Sequence, residues 1–330
     1  MSKLIALRSG YIDGWQIDFS SRLKQQALLF DQIGIFNLNE IMFDSIAALM
    51  DETRKEGGFL KSELTWLREK EIVFEPNIDS IKEEDLRTEI GESLFFRLIE
   101  KGEEYRKLAE KQKRTHIPEN FEEINIDEID VDEFIEDFND LSALFESRRE
   151  IDSIILRLLS LSMEKTEKIT AVTTLPLIEY TRQIPNSKKC DVMQIVINKL
   201  PLPDNMTPWE QIIDYRDDPE NQKMLLALRR WIRKISAENL SPMEIEEELE
   251  WLINEFQNHM KLHKLKANTE ILEVMVKAPL EIIEDLVKLK LSKIPEPFFA
   301  IKKRQLSLME AEINAPGKEM AYIIKSKETF

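Results

Sequence analysis

The chain has 330 residues, of which 42% are hydrophobic and 33% charged, and its formal net charge is −17. These values fit a soluble globular protein with a substantial core. The acidic balance disfavours general nucleic-acid binding, because a duplex-binding surface is basic. With only 8 glycines and one cysteine, Gly-rich nucleotide loops are disfavoured, and both a disulfide framework and a cysteine-based zinc site are excluded.

The N-terminus shows no targeting signal. Residues Met1–Arg8 lack the long apolar stretch and the small-residue cleavage site of a signal peptide. No uncharged apolar run approaches the roughly 18 residues that a spanning helix needs, and a single cysteine suits a reducing compartment. The sequence therefore predicts a cytoplasmic protein that does not enter the membrane.

Residues 1–110 are predicted to form an N-terminal mixed α/β region. Apolar runs bounded by Asn, Gly or Pro indicate strands, and apolar residues at three- and four-residue spacing indicate helices. In chain order, the predicted elements are a buried strand over 31–36, a helix over 40–55, a helix over 62–70, a short strand over 71–74 and a helix over 81–108.

Residues 111–147 are predicted to form an acidic connector followed by a helix. Like charges repel along residues 111–127, which favours a mobile connector, and residues 128–147 have the pattern of a helix with an acidic outer face. The acidic run from Glu119 to Asp140 contains no glycine, so it lacks the turn of an EF-hand calcium loop. It indicates a solvated face or an attraction for a basic partner.

Residues 148–330 are predicted to form a helix-rich C-terminal region. Its predicted elements are a helix over 151–163, strands over 170–175 and 191–199, three capped helices starting at Thr207, Asp218 and Ser241, a strand or helix over 271–276, helices over 279–293 and 298–312, a turn over 315–317 and a terminal strand over 320–324.

The three capped helix starts are the strongest local signals in the chain. Thr207–Glu210 and Ser241–Glu244 have the capping-box pattern with proline at the first helical position. Asp218-Pro219 has the capping residue and the proline but lacks the glutamate three positions after the cap. A capping side chain accepts a hydrogen bond from an otherwise unsatisfied backbone N–H, and proline needs no partner there. These patterns predict helices but name no reaction.

The predicted fold class is α+β, predominantly α-helical with a few short strands in a small mixed sheet. The predicted regions are 1–110, 111–147 and 148–330, with 1–110 and 148–330 treated as candidates for one packed body.

A metal site is one hypothesis for the third capped helix. Glu255, His259 and His263 follow each other at four-residue intervals, so successive side chains lie one turn apart. Their order differs from the His-Glu-x-x-His motif of zinc proteases. On a helical wheel His263 falls near the centre of the apolar face and Glu255 well outside it. The alternative is therefore a core histidine beside a boundary histidine.

A ligand site for phosphate is the second hypothesis. Arg216, Arg229, Arg230 and Arg233 lie on two neighbouring predicted helices, and guanidinium groups bind phosphates and nucleotides. The alternative is a solvated helix face whose arginines pair with the many acidic residues of the chain.

Other candidate residues have weaker patterns. Cys190 follows two lysines, which would lower the pKa of the thiol if they were close, but no partner motif accompanies it. Trp209, Tyr215 and Trp231 are spaced to line a pocket or to form part of a core. No serine lies in a Gly-x-Ser-x-Gly elbow.

Four segments in the C-terminal third to half of the chain have a distinctive sequence: Pro201–Pro203, Pro208–Arg216, Leu228–Ile232 and Ala315–Tyr322. In these segments the chain resembles a family of bacterial helical proteins with no established activity. The resemblance implies a setting among accessory genes of bacterial mobile or defence islands. It implies no mechanism.

Three functions are consistent with patterns in the sequence, and a fourth, an acidic DNA-mimic role, rests only on the net charge. The first is a non-catalytic interaction protein or accessory subunit of a bacterial cytoplasmic assembly, such as an anti-phage defence or toxin–antitoxin-like assembly. The second is a metal-dependent hydrolase or nuclease that uses His259 and His263. The third is a sensor that binds a nucleotide or phosphorylated ligand through the arginines. No cofactor is predicted, a protein partner is expected, and a homo-oligomer is left open.

Overall fold

A four-stranded sheet organises the N-terminal part of the computed structural model. Its strands are β1 (Leu4–Ser9), β2 (Gln32–Phe36), β3 (Val73–Phe74) and β4 (Thr170–Thr173), in the order β3-β2-β1-β4. The structure describes residues 3–9, 19–38, 59–77, 83–112, 131–167, 169–174, 187–277, 308, 311–312 and 314–330. The predominantly helical α+β class predicted from the sequence is confirmed.

Every strand pair of this sheet is parallel, whereas the sequence predicted a mixed sheet. Consecutive strands are separated by helical segments, and a crossover of this kind returns the chain in the same direction. The central strand β1 is buried along its whole length, as expected for a parallel strand covered on both faces. Strands β2, β3 and β4 fall within predicted strands, whereas β1 was not predicted.

The helices account for most of the described chain. Their bounds are α1 Phe19–Leu29, α2 Phe59–Glu69, α3 Glu83–Gln112, α4 Val131–Glu167, α5 Ser187–Lys199, α6 Trp209–Asp217, α7 Pro219–Ala237, α8 Pro242–Lys277 and α9 Ala321–Thr329, the last preceded by a 3₁₀ turn at Lys318–Met320. In the described part of the chain, no helix combines the length and apolarity needed to cross a membrane.

Two predicted strands are helices. The segment 191–199 belongs to α5, whose residues Val192, Met193, Val196 and Ile197 are buried at helical spacing. The segment 320–324 enters α9 and is buried at every position. In the sequence both segments are short and nearly continuous apolar runs, and such a run has no periodicity that separates a helix from a strand.

Two predicted helices over 128–147 and 151–163 are one helix, α4, and the predicted boundary at residue 147 falls inside it. The ambiguous segment 271–276 is helical and continues α8. The helices predicted over 40–55 and 279–293, most of the one over 298–312, and most of the 111–127 connector lie outside the described residues.

The chain divides into two compact units. Unit 1 comprises residues 1–197 and 202–213, and unit 2 comprises residues 198–201 and 214–330. In unit 1, Leu156 and Leu159 of α4 form a core cluster with Ile5, Leu7 and Ala171 of the sheet. The long apolar stripe of α4 therefore holds this helix against the strands.

The caps of unit 2 form as the sequence predicts. The Asp218 carboxylate accepts from the backbone N–H groups of Glu220 and Asn221, each at 3.0 Å. The Ser241 N–H donates to the Glu244 carboxylate at 2.7 Å, and the Glu244 N–H donates back to the Ser241 hydroxyl at 3.3 Å. The predicted turn at 315–317 is present, with Gly317 in the left-handed region at φ 68°.

Candidate functional site

A surface groove of about 420 Å³ lies within unit 1, a volume in the range of ligand-binding pockets. It is formed by α1, α2, the segment before α6 and the first turn of α6. Its lining residues are Lys24, Ser62, Glu63, Trp66, Asn205, Met206, Thr207, Pro208, Trp209 and Glu210.

The groove has an aromatic and sulfur-containing wall. Trp66 and Trp209 line it together with Pro208 and Met206. The Met206 side chain is 76% exposed, whereas Trp209 is buried. An exposed methionine is flexible and polarizable, so it adapts to the shape of a bound partner. The wall therefore offers apolar contact area that water covers in the free protein.

The carboxylate of Glu63 is held in a fixed position inside the groove. It accepts a hydrogen bond from the Ser20 hydroxyl at 2.5 Å and another from the indole N–H of Trp209. A buried indole N–H needs such an acceptor. The two donors leave further lone pairs on the carboxylate, so Glu63 can accept from a ligand while it orients Trp209.

Lys24 lies beneath the groove and is only 2% exposed. Its ammonium donates to the carbonyl of Asn205 at 2.7 Å and to that of Asp204 at 3.4 Å, and it lies 5.8 Å from the Trp209 ring centroid. Burial lowers the pKa of Lys24, and the nearby carboxylates of Glu63 and Asp204 oppose that effect. Lys24 therefore anchors the segment that forms the groove wall.

Among the residues that line the groove, the charged side chains that reach solvent are acidic: Glu210 is exposed and Glu63 is half-buried, whereas the single lysine of the lining is buried. Next to the lining, the ammonium of the exposed Lys70 lies 5.7 Å from the Trp66 ring centroid. An apolar wall with acidic groups at its edge can contact an aliphatic stem and bind a positive head group in the same place.

A second polar cluster lies at the carboxyl end of β1. The Ser9 hydroxyl donates to the buried Asp152 carboxylate, and the Arg148 Nε donates to its other oxygen at 2.9 Å. β1 and β4 meet where the strand order changes direction, a position at which parallel sheets often bind ligands. Ser9 and Asp152 are both fully buried, so in this conformation the network joins α4 to the sheet.

Cys190 belongs to the interior of unit 1. The Arg157 Nη1 donates to its sulfur at 2.9 Å, and burial raises the pKa of the Cys190 thiol despite the opposing effect of Arg157. The preceding Lys189 pairs with Glu164 at 2.8 Å. Burial and the raised pKa of the thiol both make Cys190 a poor candidate for a nucleophile.

The structure brings together two of the four predicted arginines. Burial raises the pKa of the Tyr322 phenol. The guanidinium groups of Arg216 and Arg229 have the smaller, opposite effect on that pKa. Arg230 and Arg233 are exposed on α7. The phosphate site predicted at these four arginines stays a prediction.

The aromatic residues predicted to line a pocket have different positions. Trp209 lines the groove. Tyr215 is buried in unit 2, where its ring centroid lies 5.6 Å from that of Tyr322 and 5.2 Å from that of Phe330. Trp231 is also buried. Only the first of the three therefore contributes to a candidate site.

The predicted metal trio is brought together only in part. The His259 and His263 rings contact each other with centroids 4.5 Å apart. Across the residues that the structure describes, no three His, Cys, Asp or Glu side chains converge as metal ligands. Glu255 therefore does not complete a three-ligand site.

Sequence reasoning missed most of the groove. Three separate stretches of the chain supply the lining residues Lys24, Glu63, Trp66 and Met206. These residues form a candidate site only because the fold brings them together. The one available signal was Trp209 at a capped helix start. Comparisons with protein-family models, with curated proteins and with solved structures find no match for this chain.

Proposed function

We propose that the chain is a non-catalytic interaction protein that binds a basic, partly apolar segment of a protein partner in the groove of unit 1. The observation that carries the proposal is the pairing of an apolar wall, formed by the half-buried Trp66 and the exposed Met206, with acidic groups at Glu63 and Glu210. Lysine and arginine side chains have both an aliphatic stem and a cationic head, and they therefore match both parts of this surface.

The net charge of the chain supports the same class of partner. At −17, the protein attracts basic molecules over long range, and such steering raises the rate of encounter more than the final affinity. The groove then supplies the short-range contacts that charge alone does not give. The resemblance to bacterial accessory proteins supports a setting in a defence or toxin–antitoxin-like assembly.

The proposal is tested with a short fluorescein-labelled peptide of alternating leucine and lysine, followed by fluorescence anisotropy on the full chain. We expect binding that weakens as salt rises. Trp66→Ala and Glu210→Lys should each raise the Kd at least about fivefold, since a residue at the centre of an interface contributes on the order of 1 kcal/mol or more.

Glu100→Lys is the matched control, because it makes the same change of charge at a side chain that is 67% exposed on α3 and does not line the groove. Its Kd should stay within about twofold of the unmodified chain. Equal weakening by Glu210→Lys and Glu100→Lys would show that the peptide binds the acidic surface at large, and the groove would then have no specific role.

A further inference from the structure

A surface cavity of about 510 Å³ lies within unit 2, where α8, α9 and part of the chain before α9 surround it. Its floor is apolar and consists of Phe256, Met260, Leu308, Ala321 and Ile324. Phe256, Ala321 and Ile324 are buried, so the packing of the two helices fixes this floor. The volume is in the range of ligand-binding pockets, and the cavity therefore has room for a small molecule with an apolar part.

Four charged side chains line the same cavity, two of each sign. They are Lys261 of α8, Lys325 and Glu328 of α9, and Glu312. Lys261 and Glu328 are exposed, whereas Lys325 and Glu312 are half-buried. The structure describes all four residues, and no ion pair joins any two of them. Both signs of charge therefore border the apolar floor without being paired with each other.

We propose that this cavity binds a free α-amino acid with a large apolar side chain, such as leucine or phenylalanine. The side chain of the ligand lies on the floor at Phe256 and Ile324. Its α-carboxylate pairs with Lys325 and its α-ammonium pairs with Glu328. These two residues are three positions apart on one face of α9, and the two charged groups of an α-amino acid share one carbon, so a single zwitterion reaches both.

Charge separates this ligand from other amphipathic molecules. A fatty acid would bring a carboxylate towards Glu312 and Glu328, and the net charge of −17 repels anions over long range. An amphipathic cation would face the ammonium groups of Lys261 and Lys325. A wholly apolar molecule would remove water from the charged groups without pairing them. A zwitterion is neutral and offers a partner to both signs.

The site is independent of the groove of unit 1, because it has other residues and takes another class of ligand. The test is calorimetric titration of the full chain with L-phenylalanine, L-leucine, glycine, N-acetyl-L-phenylalanine and L-phenylalaninamide. We expect one phenylalanine or leucine per chain and no binding of glycine, which lacks the apolar side chain. The N-acetyl compound lacks the ammonium and the amide lacks the carboxylate, so each should bind at least about fivefold more weakly than phenylalanine.

Two variants assign the charged contacts. Lys325→Met should weaken phenylalanine binding at least about fivefold and abolish the preference over phenylalaninamide. Glu328→Gln should likewise abolish the preference over N-acetyl-phenylalanine. The matched controls are Lys327→Met and Glu247→Gln, since both side chains are exposed on the same two helices and do not line the cavity. Each control should change the Kd less than about twofold.

The ligand series on the unmodified chain keeps the proposal testable if a variant does not fold. Equal affinity for phenylalanine and either of its two analogues would overturn the proposal, because the cavity would then recognise only one charge. Absence of binding by both phenylalanine and leucine would also overturn it. So would a preference over phenylalaninamide that Lys325→Met leaves unchanged, because the carboxylate would then have another partner.

Discussion

The two units of the molecule are stabilised in different ways. The described residues of unit 1 include four buried charged side chains, which are Arg8, Lys24, Asp152 and Arg157. Those of unit 2 include no buried charge, and its buried polar residues are Asn221 and Ser326. Unit 1 therefore depends on polar networks that fix specific contacts, whereas unit 2 depends on apolar and aromatic packing with charges kept at the surface.

This difference shows which unit of the fold depends on specific polar contacts. A buried charge is destabilising unless a partner and further hydrogen bonds offset the lost hydration. In unit 1 two of these charges have structural tasks, because Asp152 joins α4 to β1 and Lys24 holds the groove wall. Unit 2 needs no comparable network, since its core closes around Tyr215, Tyr322 and Phe330.

The largest expected effect comes from breaking the network of unit 1. Asp152→Ala leaves Ser9 and Arg148 without their shared acceptor, and removing one partner of a buried ion pair lowers the free energy of unfolding by about 3–5 kcal/mol. Denaturant unfolding monitored by circular dichroism measures the change. Glu100→Ala, at the surface of the same unit, should stay within about 0.5 kcal/mol. A loss of under about 1 kcal/mol for Asp152→Ala would contradict a stabilising role of the network.

The second largest effect is the loss of stability of unit 2 at high pH. Burial raises the pKa of Tyr215 and Tyr322 above the usual value. Above pH of about 10 the unfolded chain loses these phenolic protons while the folded chain retains them, so each tyrosine lowers the free energy of unfolding by about 1.4 kcal/mol per pH unit. The contribution is fully present below pH 10 and is lost as pH rises towards the folded pKa.

Tyr322→Phe isolates this effect from the lysines, which titrate in the same range. Above pH 10, the free energy of unfolding should fall less steeply with pH in this variant, because the contribution of one of the two tyrosines to the slope has been removed. Absorbance at 295 nm should show that both phenols ionise only when unit 2 unfolds. If both titrate near pH 10 in the folded protein, the aromatic core is open to water and the comparison between the units fails.

A smaller effect is expected from the helix caps. Asp218→Ala removes the acceptor for two N–H groups at the start of α7 and should lower the free energy of unfolding by about 1 kcal/mol. Lys223→Ala, which removes an exposed ion pair of the same helix, should have an effect of at most about 0.5 kcal/mol. Urea denaturation of both variants makes the comparison, and equal losses would show that the cap is not used.

The smallest effect is expected at Lys199. Hydrogen bonds with Glu246 and Glu250 raise its pKa, but both glutamates are exposed, and exposed ion pairs contribute little to stability because water and salt screen them. Lys199→Met should leave the midpoint of thermal unfolding unchanged within error at moderate salt. A clear drop would show that surface pairs stabilise unit 2 more than its packing suggests.

Local chemistry made part of this fold predictable. The caps at Asp218 and Ser241 were predicted because a cap needs only residues that are close in sequence. The strand β1 was missed and α5 was predicted as a strand, because a short and nearly continuous apolar run in the sequence has no periodicity that separates the two. The groove was out of reach, since Lys24, Trp66 and Trp209 meet only through tertiary structure.

The central claim is that the groove of unit 1 binds a basic segment of a protein partner. The most direct measurement replaces Met206 with a photo-crosslinking amino acid in native cells and sequences the crosslinked peptide. Met243 is the matched control, because it is also an exposed methionine, at 69% against 76% for Met206, and it lies in unit 2. The account predicts an adduct at 206 to a lysine- or arginine-rich segment, and none at 243. Adducts at both positions, or adducts at 206 to segments without basic residues, would contradict it.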